Sequence, residues 1–238
     1  MIAAIMQPYF FPYIGYFQLM KAVDVFVIYD DAQYMKGGWI NRNRILVNNK
    51  PAWLTLPVSR ASLTLRINER HYLLEGENIP AIKQRLHDTY KKAPAYQDMF
   101  PFINGLLDYE SSNVSTFNTN LMRVIARKLG ITCKFMMSSE ITNASAFRGE
   151  AKVINLCQLT GANTYINPIG GIALYDAGVF AKSGIDLCFL QPEPTDYAQF
   201  GQPHVSQLSI IDVLMFNPIE RIKTMLDHYQ LVRCATAE

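Results

Sequence analysis

The sequence predicts an α/β fold, a mostly parallel sheet with helices on both faces, in a single domain spanning residues 1–238. Short apolar runs typical of buried strands recur along the chain, and the first two lie at 2–6 and 25–29. Amphipathic stretches separate most of these runs. Parallel strands require such helical crossovers, because each connection must return to the same end of the sheet. The loops that follow the runs are rich in glycine, proline and polar residues, and they supply the candidate site.

The segment QPYFFPYIGYF follows the first predicted strand directly and leads into a short helix that ends near residue 22. Pro8 and Pro12 restrict the backbone, so this loop should be stiff, and Gly15 permits a positive φ or a close approach to a ligand. In open α/β sheets ligands bind beyond the carboxyl ends of strands, beside helix N-termini. The loop therefore supplies five candidate substrate-binding residues: Gln7, Tyr9, Tyr13, Gly15 and Tyr16. The alternative is that its aromatic side chains simply pack the loop onto the sheet.

Two carboxylates and an amide follow the second predicted strand. Asp30 and Asp31 should stand at the same edge of the sheet as the first loop. A carboxylate there can bind a metal ion, accept a proton from an amine nucleophile or hold a sugar hydroxyl, which makes both residues candidate catalytic groups. A turn or a helix cap is the alternative role of such a pair. Gln33 offers a donor and an acceptor for orienting a substrate.

Residues 36–58 alternate polar and apolar side chains around a turn at 48–50, which predicts a β-hairpin. In its extended first half, KGGWINRNRI, two arginines share one face and two asparagines the other, so the guanidinium groups form a fork suited to a diphosphate. The candidate anion-binding residues are Lys36, Asn41, Arg42 and Arg44. A solvated hairpin face is the alternative interpretation.

Residues 79–130 carry apolar side chains at three- and four-residue spacing and predict helices, with Gly130 as a C-terminal cap. The hairpin and these helices form a predicted insertion at 36–130. Strand and helix patterns then alternate again, with strands at 133–139, 164–171 and 185–191, helices at 150–162 and 175–184, and final helices at 208–215 and 219–229.

Two further strand ends carry polar residues and glycines. Glycines at such positions let backbone amides approach a ligand. The substrate-binding candidates here are Ser138 and Ser139 at one end and Asn167, Gly170, Gly171, Tyr175 and Asp176 at the other. Capping of the following helix is the favoured role of Asp176. If all four strands are parallel, the four loops converge on one crevice.

Composition limits the class of function. Hydrophobic residues make up 50% of the chain, and charged residues make up 18%, below the roughly 25% of typical soluble domains. This balance indicates much buried surface and is compatible with a large pocket or a homodimer. The net charge of +2 gives no sign of strong nonspecific nucleic-acid binding. No apolar run approaches the roughly 20 residues that span a bilayer, and no signal segment precedes the first strand, so a cytoplasmic location without membrane insertion is expected.

The four cysteines, Cys133, Cys157, Cys188 and Cys234, form no CxxC pair, which predicts reduced, mostly buried thiols and no metal site. Cys157 falls in the middle of a predicted helix among apolar residues and is a poor nucleophile. His204, just before the final helices, is the histidine to test as a general base, because imidazole titrates closest to neutral pH.

Several segments together resemble the WbqC-like family. They run in order from residue 1 to about residue 217, and they are QPYFFPYIGYF, DVFVIYDDAQY, WINRNRI, the Ser-Ser-Glu step at 138–140, CQLTGANTYINPIGG and LSIIDVLMFN. The family takes its name from bacterial O-antigen gene clusters and is associated with polysaccharide biosynthesis. The resemblance implies transfer of an acyl or aminoacyl group, such as glycyl, to the amine of an amino sugar, itself carried on a nucleotide.

The chain also resembles nucleotidyltransferase-like α/β folds, in which the first strand ends in an HxGH signature over the phosphates. The equivalent stretch here, residues 13–16, reads Tyr-Ile-Gly-Tyr, so both histidines are absent. Gly15 and a helix N-terminus remain to hold a phosphate. ATP with magnesium therefore stays open as a cofactor.

Two classes of function follow from these patterns. In a transferase, the Arg42 and Arg44 pair holds the diphosphate of the sugar nucleotide, the aromatic loop stacks on the base or sugar, and Asp30 or Asp31 deprotonates the acceptor amine. The acyl donor could be a thioester, an aminoacyl-tRNA or an ATP-activated acid, the last corresponding to an adenylate-forming ligase. In the other class, the protein is a noncatalytic nucleotide- or sugar-binding partner in a biosynthetic complex.

Overall fold

The computed structural model of the chain describes residues 1–62, 64–141, 146–201 and 203–233. Within these residues the strands are β1 (Ile2–Met6), β2 (Val25–Ile28), β3 (Arg42–Val47), β4 (Lys50–Thr55), β5 (Lys134–Met137), β6 (Thr164–Pro168), β7 (Asp186–Pro192) and β8 (Tyr229–Arg233). The α-helices are α1 (Ile14–Lys21), α2 (Asn78–Tyr90), α3 (Tyr96–Leu107), α4 (Val114–Lys128), α5 (Gly149–Thr160), α6 (Ala177–Lys182), α7 (Ile210–Phe216) and α8 (Ile219–Met225).

Six strands form one sheet in the order β5-β2-β1-β6-β7-β8, in which only β8 runs antiparallel to its neighbour. Counted along the chain, the five parallel strands lie in the order 3-2-1-4-5, which is the arrangement of doubly wound Rossmann-type sheets. The predicted fold class is confirmed, and the nucleotidyltransferase-like resemblance stays a prediction. The strand order reverses between β1 and β6. Connections leave these two strands toward opposite sides, so a crevice opens beyond their carboxyl ends.

The central strands are apolar throughout because both faces of the sheet are covered. Ala4 and Phe26 face one hydrophobic cluster, which α1, the helices of the insertion and α7 complete. Ala3 and Ile5 face a second cluster, built on α5 and α6. Alternate residues of one strand thus enter different cores, as the period of two in a strand requires.

The predicted hairpin is formed by β3 and β4, which pair antiparallel from Arg42 with Thr55 to Val47 with Lys50. Asn48 and Asn49 connect them with φ of 50° and 60°. Two successive left-handed residues make the kind of tight turn whose twist suits a hairpin, and asparagine tolerates this conformation well. The hairpin and α2, α3 and α4 constitute the predicted insertion.

The insertion is joined to the first loop by the fully buried side chain of Asn118 on α4. Its Nδ2 donates to the carbonyl oxygens of Pro8, at 2.9 Å, and Ile40, at 2.7 Å. Its Oδ1 accepts from the hydroxyl of Tyr72 at 2.9 Å. One amide therefore ties the loop after β1 to the segment that leads into the hairpin.

The expectation of a final helix over 219–229 is wrong at its C-terminal end, because α8 stops at Met225 and β8 follows. The buried Gln18 of α1 explains the stop. Its Nε2 donates to the carbonyls of Met225, at 2.9 Å, and His228, at 3.0 Å, which turns the chain back toward the sheet. The next residues then pair with β7, with Gln230 opposite Gln191.

Cys133, Cys157 and Cys188 form no disulfide among the described residues, and Cys234 lies outside them. Burial raises the pKa of the Cys157 thiol to about 12, so it stays protonated and unreactive at neutral pH. Among the residues described, no helix combines the length and apolar character needed to cross a membrane.

Candidate functional site

A cleft of about 610 Å³ lies beyond the carboxyl ends of β1, β6 and β7. Its walls come from the first loop, the hairpin, the segment after β6 and the two stretches 191–197 and 204–208. It therefore occupies the crevice where the strand order reverses, the place where open α/β sheets bind their ligands.

The first loop takes an unusual backbone conformation next to this cleft. The fully buried Phe11 has a φ of +42°, in the left-handed region that bulky residues avoid. Its carbonyl accepts hydrogen bonds from Asn43 Nδ2 of β3 and from Ser209 Oγ, each at 2.8 Å. Asn43 Nδ2 also reaches the carbonyl of Phe10 at 3.2 Å, and Ser209 is the N-cap of α7. Two segments distant in sequence thus hold the strained loop in place.

Gly15 makes room for Tyr13, a wall of the cleft. It lies in α1, where a Cβ would come within 2.4 Å of the Tyr13 ring. Gly15 is thus required by a packed neighbouring ring rather than by a positive φ. Burial raises the pKa of Tyr13 and of Tyr9, which also lines the cleft, so both phenols stay protonated at neutral pH and can donate to a ligand.

Arg44 brings a permanent positive charge to the cleft. Its guanidinium carbon lies 5.5 Å from the ring centroid of Trp39, another cleft residue, and one terminal nitrogen donates to the carbonyl of Gln207 at 3.3 Å. Its Nε is buried and has no hydrogen-bond partner among the described residues. A buried, unsatisfied donor is costly. The terminal nitrogens of the same guanidinium are the donors that an anionic ligand in the cleft would contact.

Arg42 lies outside this cleft. Its guanidinium covers the ring of Trp53 at 4.0 Å and donates to the carbonyls of Gly37 and Gly38. The two arginines lie on one face of the hairpin, as predicted, but only Arg44 enters the cleft.

His204 lines the cleft beside a carboxylate. Its Nδ1 lies 3.1 Å from Asp196 Oδ1, and its ring meets the Tyr197 ring edge to face, with centroids 4.9 Å apart. The other nitrogen, Nε2, is buried and lacks a partner in the described part of the chain. Since Asp196 is exposed, the Nδ1 side of the imidazole is the side that solvent or substrate can approach. A carboxylate in this position orients the ring.

A fully buried carboxylate, Asp212 of α7, lies behind the cleft wall. It accepts hydrogen bonds from Tyr90 OH at 2.8 Å, Tyr197 OH at 2.7 Å and Gln199 Nε2 at 2.9 Å. Burial raises the pKa of Asp212, and these donors oppose the shift only in part. Because Tyr197 lines the cleft, its hydrogen bond to the buried Asp212 fixes the orientation of the Tyr197 ring in the cleft wall.

Replacing Asp212 with asparagine should flatten the pH dependence of folding. Above the ordinary carboxyl range and below its raised pKa, Asp212 holds a proton in the folded state that the unfolded chain has released, so the free energy of unfolding falls as pH rises. Over that pH range the free energy of unfolding should fall more steeply with pH in the wild type than in the variant, by up to about 1.4 kcal/mol per pH unit. Urea unfolding over a pH series checks this, with Asp186→Asn, an exposed aspartate, as the control. Equal slopes in wild type and variant would contradict the assignment.

Asp30 and Asp31 lie outside the cleft, in a closed network. Ser139 donates to the Asp30 carboxylate through its backbone N–H at 3.0 Å and its hydroxyl at 2.6 Å, and Asn68 Nδ2 donates at 3.1 Å. Ser138 Oγ lies 2.9 Å from Asp30 and 2.5 Å from Asp31. The expectation that all four strand ends share one crevice is therefore wrong. Strands β2 and β5 lie on the other side of β1 from the position where the strand order reverses. Hydrogen bonds join the residues that follow these two strands to each other.

Asp31 also forms an ion pair with Lys152 of α5, and both side chains are almost completely buried. The Lys152 ammonium lies 4.9 Å from the ring centroid of Tyr29 as well. A buried pair of this kind joins α5 to the end of β2.

The residues after β6 divide between the cleft and the interior. Gly170 lines the cleft, whereas Asn167 donates to Tyr165 OH at 2.6 Å, and a Cβ on Gly171 would lie 2.2 Å from Asn167 Oδ1. Tyr175 OH lies 3.3 Å from the same Tyr165 hydroxyl. Asp176 is the N-cap of α6, accepting from the N–H groups of residues 178 and 179, as favoured from the sequence.

The remaining candidates lie apart from the cleft. Tyr16 is buried in the core and donates to the carbonyl of Gln7. Asn41 holds the hairpin together, accepting from Tyr34 OH and donating to the carbonyl of Leu56, both at 3.0 Å. Gln33 pairs with Arg66 through the backbone, and Lys36 is exposed.

Several cleft residues were not among the sequence candidates. Trp39 lies in the segment KGGWINRNRI. An aromatic residue next to the two candidate arginines is the sequence signal that could have identified it. Asp196, Tyr197 and Gln207 come from a stretch with no strand or helix periodicity, and no pattern located them.

Comparison with known proteins agrees with the sequence resemblance. The sequence profile of the WbqC-like protein family matches residues 7–224. The chain is 30% identical over 218 residues to "Uncharacterized protein Rv1507c" of Mycobacterium tuberculosis (strain ATCC 25618 / H37Rv), covering 90% of this chain and 92% of that protein. No solved structure matches the chain. With nearly the whole sequence covered by the profile, the chain belongs to the WbqC-like protein family.

Proposed function

We propose that the protein transfers an acyl or aminoacyl group, such as glycyl, to the amine of a nucleotide-linked amino sugar, in O-antigen or related polysaccharide biosynthesis. The observation that carries the proposal is the cleft at the strand-order reversal, where the Arg44 guanidinium lies among aromatic side chains. A sugar nucleotide has the matching parts, because its diphosphate is anionic and its base and sugar present flat faces.

In this proposal residues of three walls, the first loop, the hairpin and the segment after β6, bind the sugar nucleotide. Arg44 binds the diphosphate, and Trp39 stacks on the base or the sugar. Tyr9 and Tyr13, protonated at neutral pH, donate to sugar or phosphate oxygens. Gly170 leaves open space beside its Cα, which lets the ligand approach the backbone.

The reaction requires a neutral amine and a group that takes its proton. The amine nitrogen attacks the acyl carbonyl, a C–N bond forms, and the bond from the carbonyl to the donor's leaving group breaks. His204 lies in the cleft, and its Nδ1, on the accessible side of the ring, is the atom assigned to accept the amine proton, with the Asp196 carboxylate beside it to stabilise the resulting imidazolium. Asp30 and Asp31 are bound to serines and Lys152, so in this proposal they stabilise the strand ends instead.

Binding of the acceptor gives the first test. Arg44→Gln should weaken binding of a nucleotide-diphosphate amino sugar roughly tenfold to a hundredfold, since hydrogen bonds to charged groups contribute about 1.5–3 kcal/mol. Arg42→Gln makes the same change outside the cleft and should leave this affinity unchanged. Isothermal titration calorimetry measures both. Equal affinities of the two variants would contradict placement of the diphosphate at Arg44.

Turnover separates a transferase from a noncatalytic binding partner. Product formation is assayed by mass spectrometry with the bound sugar nucleotide and with thioester, aminoacyl-RNA and ATP-activated donors in turn. His204→Gln should retain sugar-nucleotide binding and lose turnover. A wild-type protein that binds the sugar nucleotide but forms no amide with any donor would overturn the transferase and support the binding partner, a class favoured by the internal bonding of Asp30 and Asp31.

A further inference from the structure

The outer face of the hairpin carries an aromatic surface that continues from the cleft. Trp39 and Trp53 are 36% and 41% exposed, and their ring centroids lie 5.3 Å apart. Arg42 covers the Trp53 ring at 4.0 Å, and Arg44 lies 5.5 Å from the Trp39 ring. We call these four side chains the tryptophan platform. Trp39 and Arg44 also line the cleft, so the platform and the cleft form one continuous surface.

The segment that contains the platform has an unusual charge. Residues 32–68 include six lysines and arginines and no aspartate or glutamate, whereas the rest of the chain has sixteen basic and twenty acidic residues. Within the described part of the chain, none of the six basic side chains forms an ion pair with a carboxylate. The net charge of +2 is therefore the sum of a positively charged segment, residues 32–68, and a negatively charged rest of the chain.

We propose that the tryptophan platform binds the single-stranded 3′ end of an RNA, and that the acyl donor of the proposed transferase is an aminoacyl ester on that end. The donor part of this inference rests on the proposed function. Stacking of bases on exposed aromatic rings, together with cations along the phosphates, is how proteins bind single-stranded nucleic acid. A free sugar nucleotide needs only the single arginine of the cleft, while six basic residues without carboxylate partners in the segment 32–68 suit a chain of phosphates.

The preference for unpaired RNA follows from the exposed parts of the two indole rings. Bases in a duplex are stacked on one another, so their faces are hidden from side chains. Only unpaired nucleotides can stack on Trp53 and Trp39. From there the chain end reaches the cleft, because Trp39 belongs to both surfaces.

The transfer step balances without a further reactant. The amine of the amino sugar attacks the carbonyl carbon of the ester, a C–N bond forms, and the C–O bond to the ribose breaks. The proton lost by the amine ends on the ribose oxygen, restoring the hydroxyl of the RNA. The ester itself supplies the activation.

The chain's two tryptophans are both on the platform, so intrinsic fluorescence reports directly on it. Titration with a single-stranded hexaribonucleotide should quench the emission, and the affinity should fall several-fold between 50 and 200 mM salt, conditions chosen for the strong salt dependence of such contacts. Trp53→Ala and Arg42→Gln should each lower the affinity at least fivefold, measured by fluorescence anisotropy of a labelled RNA. Lys92→Gln removes an exposed charge elsewhere and should leave it unchanged.

Three results would overturn the inference: no quenching, equal affinity for the hexamer and its duplex, or an affinity unaffected by Trp53→Ala. Trp53 does not line the cleft, so Trp53→Ala should preserve sugar-nucleotide binding. Loss of RNA binding with intact sugar-nucleotide binding is thus the expected signature of the variant. A wild-type protein that binds the sugar nucleotide but not RNA refutes the platform and leaves the proposed function standing, whereas one that binds RNA alone refutes the proposed acceptor.

Discussion

Replacing Lys152 with methionine should lower the free energy of unfolding by about 3–5 kcal/mol, because it leaves the Asp31 carboxylate charged and buried without its cation. Methionine keeps most of the side-chain volume, so the effect comes from charge rather than from a cavity. In the variant Asp31 still accepts from the hydroxyl of Ser138. Urea unfolding at neutral pH measures the change.

The exposed pair of Lys223 and Glu220 supplies the matched control. Lys223→Met should cost less than about 1 kcal/mol, because solvent-exposed pairs contribute little. The double variant Asp31→Asn, Lys152→Met should recover more than half of the loss, since no unpaired charge then remains in the interior. Similar losses for Lys152→Met and Lys223→Met would show that burial of the first pair has no energetic consequence.

Replacing Asn43 with alanine should lower the free energy of unfolding by about 2–3 kcal/mol and weaken ligand binding in the cleft. The change removes the donor to the carbonyls of Phe10 and Phe11 and the acceptor of the Arg44 N–H, all buried or partly buried. The left-handed Phe11 then loses one of its two restraints, and the first loop can relax away from the cleft. Denaturant unfolding and titration with the sugar nucleotide measure the two effects.

Two variants test whether the loop is the cause. Ser209→Ala removes one donor to Phe11 and the side-chain cap of α7, and should cost about 1–3 kcal/mol. Asn41→Ala breaks two hydrogen bonds of the hairpin that do not involve the loop, so it should lower stability without changing affinity in the cleft. An affinity loss in Asn41→Ala as large as in Asn43→Ala would locate the effect in the hairpin instead.

The fold was largely predictable because its signals are local. Strands β1, β2, β6 and β7 are apolar runs covered on both faces, and the Asn-Asn turn of the hairpin is set by its own two residues. Strand β8 was not predictable in this way. It is an edge strand with Leu231 half exposed, and its existence depends on pairing with β7 and on Gln18, more than 200 residues away.

The site was less predictable, because it depends on where side chains point after the chain folds. Strand ends indicated the first loop and Gly170, and residues of both line the cleft. The same rule placed Asp30 and Asp31 in the crevice, but Lys152, in the first turn of α5, forms an ion pair with Asp31 in the interior. Tyr197 and Asp196 reach the cleft through a loop whose course is set by tertiary contacts, including the hydrogen bond between Tyr197 and Asp212.

The separation of charge between residues 32–68 and the rest of the chain bears on how quickly the protein meets an anionic ligand. The positive charge of this segment attracts an approaching anion and orients the hairpin toward it before contact. Many encounters therefore begin in the productive orientation. Association should therefore slow as ionic strength rises, while dissociation, governed by the short-range contacts of Arg44 and the aromatic rings, changes much less. The acidic remainder of the surface meanwhile repels the same anion, which discourages unproductive contacts on the far side of the molecule.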